Sequence, residues 1–114
     1  MHEYSVLRSI LMQVEEFAGP KGLTAVREIR VSVGEFSGID PELLQLAFEQ
    51  VSAESGRTQC RLVVQPTLLS AECAACGTEF APTGFVFRCP HCGSGETEIL
   101  RGEELVLESL TLQE

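Results

Sequence analysis

The chain has 114 residues, and 17 Asp and Glu against 8 Lys and Arg give it a formal charge of −9. That length suits one small domain carrying a smaller module, and it is too short for a barrel enzyme or a full dinucleotide-binding fold. The acidity disfavours nucleic acid as a partner, because phosphate contacts need clustered Lys and Arg, and it disfavours a polybasic membrane anchor for the same reason.

The elements follow in chain order. An amphipathic helix is expected over Glu3 to Ala18, with Val6, Ile10, Val14 and Phe17 on its apolar side and Leu7 and Leu11 beside them. Gly19-Pro20 ends it. Alternation of Ile29, Val31 and Val33 with Glu28, Arg30 and Ser32 predicts a strand over Val26 to Gly34 with one wet face. A second helix starts at Asp40-Pro41, an N-cap residue followed by proline at the first helical position. Leu43, Leu44, Ala47, Phe48 and Val51 form its apolar face, and it ends near Gly56. A second strand is expected from Cys60 to Gln65, before Pro66, and a third from Glu104 to Leu112. In the third, Leu105 and Leu107 have one parity and Leu110 and Leu112 the other, so a bulge near Glu108 is expected. Between these strands, Ala71 to Gly95 holds four Cys and little aliphatic content, with a turn at Pro82-Thr83-Gly84 and a short hairpin around Phe85-Val86-Phe87. It reads as a compact insert.

A chain of this size buries only about two-thirds of its unfolded surface, so a staple such as a metal helps it fold. The cysteines supply one. Cys73-Ala74-Ala75-Cys76-Gly77 and Cys89-Pro90-His91-Cys92-Gly93 form a C-x2-C-x12-C-x2-C pattern. Four thiolates at that spacing can surround a tetrahedral Zn²⁺, two from each tight turn. With four cysteine ligands no position stays open for water, so such a zinc is structural, and the cluster itself adds about −2 to the charge. The rival readings are two disulfides or a redox dithiol. Each pair is followed by Gly and neither opens a helical pattern, which disfavours a thioredoxin-type site. His91 reads as an exposed loop residue before an extra metal ligand, and Cys60, the fifth cysteine, as a packing residue. This usage points to a reducing, cytoplasmic setting, with no secretory signal after Met1 and no apolar run long enough to span a membrane.

Met1-His2-Glu3 carries a second chemistry. The α-amine of Met1, the backbone nitrogen of His2 and its imidazole can close five- and six-membered chelate rings on one ion, and Glu3 adds a backbone nitrogen and a carboxylate. Nitrogen-rich planar coordination suits Ni²⁺ or Cu²⁺. Its ligands must be deprotonated, so affinity falls with pH. A frayed terminus bearing a plain histidine is the competing reading.

The Met-His-Glu start running through Tyr4-Ser5 into an amphipathic helix, Val-Gly-Glu-Phe-Ser-Gly-Ile at 33–39, and the late pair of Cys-x-x-Cys-Gly knuckles together resemble the HypA/HybF family over essentially the whole chain. These are accessory proteins for nickel insertion into [NiFe]-hydrogenase. The resemblance implies an α+β fold: a nickel-binding domain of two helices on a three-stranded sheet (residues 1–68 and 99–114) with an inserted zinc ribbon of rubredoxin-like knuckles (69–98). It implies Met1, His2 and Glu3 as ligands of Ni(II) cargo, and Cys73, Cys76, Cys89 and Cys92 as ligands of structural Zn(II). It also implies a nickel-handling GTPase of the HypB type and the [NiFe]-hydrogenase large subunit as partners, with urease served by some members.

Other classes compete less well. A zinc-ribbon interaction module without nickel delivery is the main alternative, and a small thiol oxidoreductase the next. Enzyme activity is not expected, because two histidines and no Ser-His-Asp arrangement are present, and the glycines at 34 and 38 lack the lysine and spacing of a phosphate loop. Glu35, beside that turn, reads first as a solvated loop acid. Neither helix shows a continuous heptad seam, which leaves monomer and weak homodimer both open.

Overall fold

A computed structural model describes residues 2–55 and 59–113. Helix α1 (His2–Ala18) leads through a 3-10 segment (Gly19–Ala25) into strand β1 (Val26–Gly34). Helix α2 (Pro41–Ser55) then connects to β2 (Arg61–Thr67). Strands β3 (Ser70–Cys73), β4 (Glu79–Phe80) and β5 (Thr97–Arg101) follow, and β6 (Leu105–Leu112) closes the chain. The expected end of the second helix, near Gly56, lies outside the described residues.

Two three-stranded sheets result, ordered β2-β1-β6 and β4-β3-β5. In the first, β1 pairs with β2 in parallel, from Glu28 with Arg61 to Gly34 with Thr67, so α2 is the crossover of a βαβ unit. The last strand, β6, lies antiparallel on the other side of β1. Both helices cover one face. Ile29, Val31 and Val33 of β1 are buried there with Leu62 of β2, and they meet Leu7, Ile10 and Val14 of α1 and Leu44, Ala47 and Phe48 of α2. The opposite face is polar: Glu28 accepts hydrogen bonds from Arg61 at 2.8 Å and Arg30 at 3.4 Å. The α+β class with two helices on a three-stranded sheet is therefore observed.

The bulge in β6 is at the expected place. Arg30 faces Ser109 and Val31 faces Leu107, which leaves Glu108 as the extra residue. Skipping it brings Leu105, Leu107 and Leu110 all onto the core side. Glu108 then accepts a hydrogen bond from Ser32 Oγ at 2.7 Å on the open face. A second shift falls between Val26 and Glu28, and Leu112, paired with Val26, is exposed.

Four expectations need correction. Phe17 is 71% exposed, because the buried stripe Leu7-Ile10-Val14 continues into Ala18 and Phe17 falls beside it. Leu43 is likewise exposed, outside the Leu44-Ala47-Phe48 stripe. Strand β2 does not stop before Pro66. As an edge strand it offers only one side to β1, and proline is tolerated where the other side meets solvent. The hairpin expected around Phe85–Phe87 reduces to a single bridge between Thr83 and Val86.

Candidate metal centre

The four cysteines of the two knuckles come together. Their sulfurs all lie within 4.8 Å of one another, with Cys73 and Cys92 Sγ 3.5 Å apart and Cys76 and Cys89 Sγ 3.6 Å apart. A tetrahedral zinc with Zn–S bonds of about 2.3 Å sets neighbouring sulfurs about 3.8 Å apart, so the group is preformed at nearly the size the ion needs.

The two knuckles repeat one backbone plan. The N–H of Gly77 donates to Cys73 O at 2.8 Å, and Cys73 N–H donates to Thr78 O at 2.9 Å. In the second knuckle Gly93 N–H donates to Cys89 O at 2.9 Å, and Cys89 N–H to Ser94 O at 2.9 Å. Each turn closes through a glycine at positive φ, 79° for Gly77 and 77° for Gly93, where a side chain would be strained. The first cysteine of each pair is buried and the second exposed. Strand β3 delivers Cys73 at its end, and its antiparallel pairing with β4 and β5 frames the first knuckle. Strand β5 runs through positions 98 and 99, within this second sheet.

The electrostatics call for a cation. The Thr78 hydroxyl, 3.1 Å from Cys76 Sγ, and the Thr78 backbone N–H favour the thiolate and lower the Cys76 thiol to about 6. At Cys92 the Ser94 backbone N–H favours the thiolate. Hydrogen bonding with Cys73 and lost hydration push the other way, and with the remaining sulfurs they outweigh it, raising this thiol to about 12. Sulfurs this close cannot all ionise without a positive ion among them. Zinc supplies that charge and deprotonates a coordinating thiol outright. Among the described residues no histidine joins the cluster, and His91 is exposed, as its loop position suggested. Cys60 packs against the core of the first sheet and borders a small cavity of about 20 Å³ with Leu11, Ile29 and Phe48, which accords with a packing role.

The N-terminal residues behave differently. His2 opens α1 and is exposed, whereas Glu3 is only 8% exposed. Glu3 Oε2 accepts a hydrogen bond from Asp40 N–H at 3.1 Å, while Asp40 Oδ1 accepts from the N–H groups of Glu42 and Leu43 at 2.9 and 3.3 Å. Asp40 is thus the expected N-cap of α2, and the starts of the two helices meet at the buried Glu3 carboxylate, a negative group where both helix dipoles are positive. Met1 lies outside the described residues. Glu35 is exposed, as expected of a loop acid, but its Oε1 also accepts the backbone N–H of Leu69 at 2.7 Å. Such a long-range bond has no local sequence signal.

Among known families, the model described as "Hydrogenase/urease nickel incorporation, metallochaperone, hypA" matches residues 1–112. The chain belongs to the HypA family. It is 33% identical over 113 residues to the hydrogenase maturation factor HypA of Aquifex aeolicus, covering 99% of this chain and 98% of that one. Identity to the HypA of Wolinella succinogenes is 34% over 114 residues, covering 99% and 96%. The solution structure of the Ni metallochaperone HypA from Helicobacter pylori superposes with a TM-score of 0.65 at 29% identity, covering 97% of each chain. HypA membership makes this chain a nickel metallochaperone for hydrogenase or urease maturation, and the four-cysteine cluster accounts for a structural zinc site. Among the described residues no helix is long and apolar enough to cross a membrane.

Proposed function

We propose that this chain carries Ni(II) at its N-terminus and hands it to a [NiFe]-hydrogenase large subunit in the cytoplasm, in company with a HypB-type GTPase, and that it is not itself an enzyme. The observation that carries the reading is the HypA match, which begins at residue 1 and so includes the Met1-His2-Glu3 tripeptide. In this reading Met1 contributes its amine, His2 its imidazole and backbone nitrogen, and Glu3 its backbone nitrogen. Amides of a first helical turn have no intrahelical acceptor, so their nitrogens are available for chelation. The Glu3 carboxylate is turned to Asp40, which leaves its backbone nitrogen as its contribution to the ion. An exposed His2 suits a cargo that must be given up as well as held.

Cys73, Cys76, Cys89 and Cys92 are proposed to hold zinc as scaffold; the ribbon expected over 69–98 is carried on to Arg101, because β5 belongs to its sheet, and 1–68 with the residues after β5 form the nickel-binding domain. The two roles separate by ligand chemistry: thiolates close the zinc shell, while nitrogen donors of the terminus suit nickel.

Calorimetric titration with nickel tests the assignment. The native chain should take up one nickel, and both His2→Ala and a one-residue extension before Met1 should lose that binding. Equal affinity and stoichiometry in all three would remove the N-terminal site.

A further inference from the structure

The chain crosses between the two sheets twice, at residues 67–70 and 101–105, and the turn after β1 sits against both crossings. Gly34 N–H donates to Glu104 O at 2.8 Å, Glu35 N–H to Thr67 O at 2.8 Å, and Phe36 N–H to Gly102 O at 2.7 Å. The Glu35 carboxylate accepts from Leu69 N–H, as described above. Backbones approach so closely that a Cβ on Gly34 would lie 2.4 Å from the Gly102 carbonyl carbon, and one on Gly102 would lie 2.6 Å from Leu69 Cα. One turn of the first sheet therefore grips both strands of the connection.

Beyond this grip stand three phenyl rings. The ring of Phe36 lies 5.2 Å from that of Phe85, tilted, and 5.5 Å from that of Phe87, edge-on. These are favoured aromatic geometries. None of the three belongs to the core of the first sheet, and Phe36 and Phe85 are 42% and 51% exposed. Phe85 also holds a φ of 59°, next to Gly84 at 61°, in the turn closed by Val86 N–H on Thr83 O at 3.1 Å. Both central residues of that turn have positive φ, positions where Gly or Asn is usual. A phenylalanine there is strained, and such strain persists only where the surroundings fix it. Here the ring packed against it is that of Phe36.

We infer that Glu35 and Phe36 are positioning residues that lock the ribbon in one orientation on the helix-bearing sheet, with the Phe36–Phe85–Phe87 cluster as the latch. Glu35 fixes the outgoing strand connection at Leu69, and Phe36 holds the far side of the ribbon through its turn. When the rings part, the ribbon is held by its two crossings and by the backbone grip at their base, and it swings about that base. This inference goes beyond the nickel reading and does not rest on it.

The test uses the full, zinc-loaded chain without nickel, labelled with ¹⁵N, and reads residual dipolar couplings and amide relaxation. In the native chain, amides of both sheets should fit one alignment tensor. In Phe36→Ala, amides of β3, β4 and β5 should leave that tensor and relax as a separately tumbling body, while zinc content and the shifts of the first core stay unchanged. Phe36→Tyr, which keeps the ring, should restore the single tensor, and Glu35→Ala should loosen the ribbon where Glu35→Gln, which keeps the acceptor, does not. If Phe36→Ala fails to fold, Phe85→Gly carries the test, since it suits the positive φ and removes only the ring. One shared tensor with unchanged ribbon orientation in the ring-removing variant, or two tensors in the native chain, would overturn the inference.

Discussion

Glu3 stands in the tripeptide proposed to bind nickel by sequence position and at the junction of two helix starts by structure. Its carboxylate receives the N–H of Asp40, 37 residues away. Removing it strands a donor in a partly buried place, which costs roughly 1–3 kcal/mol. Glu3→Ala should therefore lower unfolding stability by about that amount, and Glu3→Gln, which keeps an oxygen acceptor, should retain most of it. Urea titration of the metal-free forms checks this, and equal stability of the two variants would mean that the bond contributes little. Legibility at this scale divides along locality. Asp40-Pro41 was readable as a helix start because an N-cap bonds to N–H groups two and three residues on. Glu3 and Glu35 were not readable as structural acceptors, because their partners lie across the fold, and a charged side chain near a turn looks solvated when its sequence neighbours are all that is visible.

Elements were legible where periodicity was strong. The alternation in β1 and the parity break in β6 determined a strand and its bulge, since core-facing leucines of opposite parity can share a face only if one residue is skipped. Helix faces were legible to within one residue; Phe17 and Leu43 border the buried stripes and are apolar without being covered. The parallel pairing of β1 and β2 and the edge position of Pro66 are properties of topology, which a single strand does not encode. The knuckles were the most legible of all, because ligand spacing and the following glycine are local demands of the turn. A pH dependence follows from them. In the metal-free cluster the lowered Cys76 thiol stays ionised down to about 6, whereas the raised Cys92 thiol is protonated at neutral pH. Zinc uptake at pH 7 should therefore release the Cys92 proton and none from Cys76. As pH falls through about 6 Cys76 gains a proton, so the count released per zinc rises and affinity drops more steeply. Proton release in weakly buffered solution measures this, and a count that does not rise between pH 7 and 5 contradicts the assignment.

At the scale of the whole molecule, two small sheets form an elongated body of 54 × 27 × 16 Å. The helix-bearing sheet has an apolar core from Leu7 to Leu62, whereas the ribbon around β3 buries little beyond Leu69, Ala71, Cys73 and Cys89. A unit with so few buried side chains depends on its metal for order. The formal charge of −9 first served to exclude nucleic acid. In a metal carrier it acquires a further sense, because a negative field favours cation capture and steers a basic protein surface toward the chain. What composition could not convey was how the sheets are joined, since the grip of Gly34, Glu35 and Phe36 on both crossings is made of backbone contacts distant in sequence. The central claim is a division of labour: thiolates for a permanent zinc, the N-terminal residues for a transient nickel. Metal content of the native-terminus chain, measured after nickel loading and dialysis, tests it most directly. The account predicts one zinc in both the native chain and His2→Ala, and one nickel in the native chain that is absent from the variant. Nickel retained in full by His2→Ala, or zinc displaced as nickel enters, would contradict it.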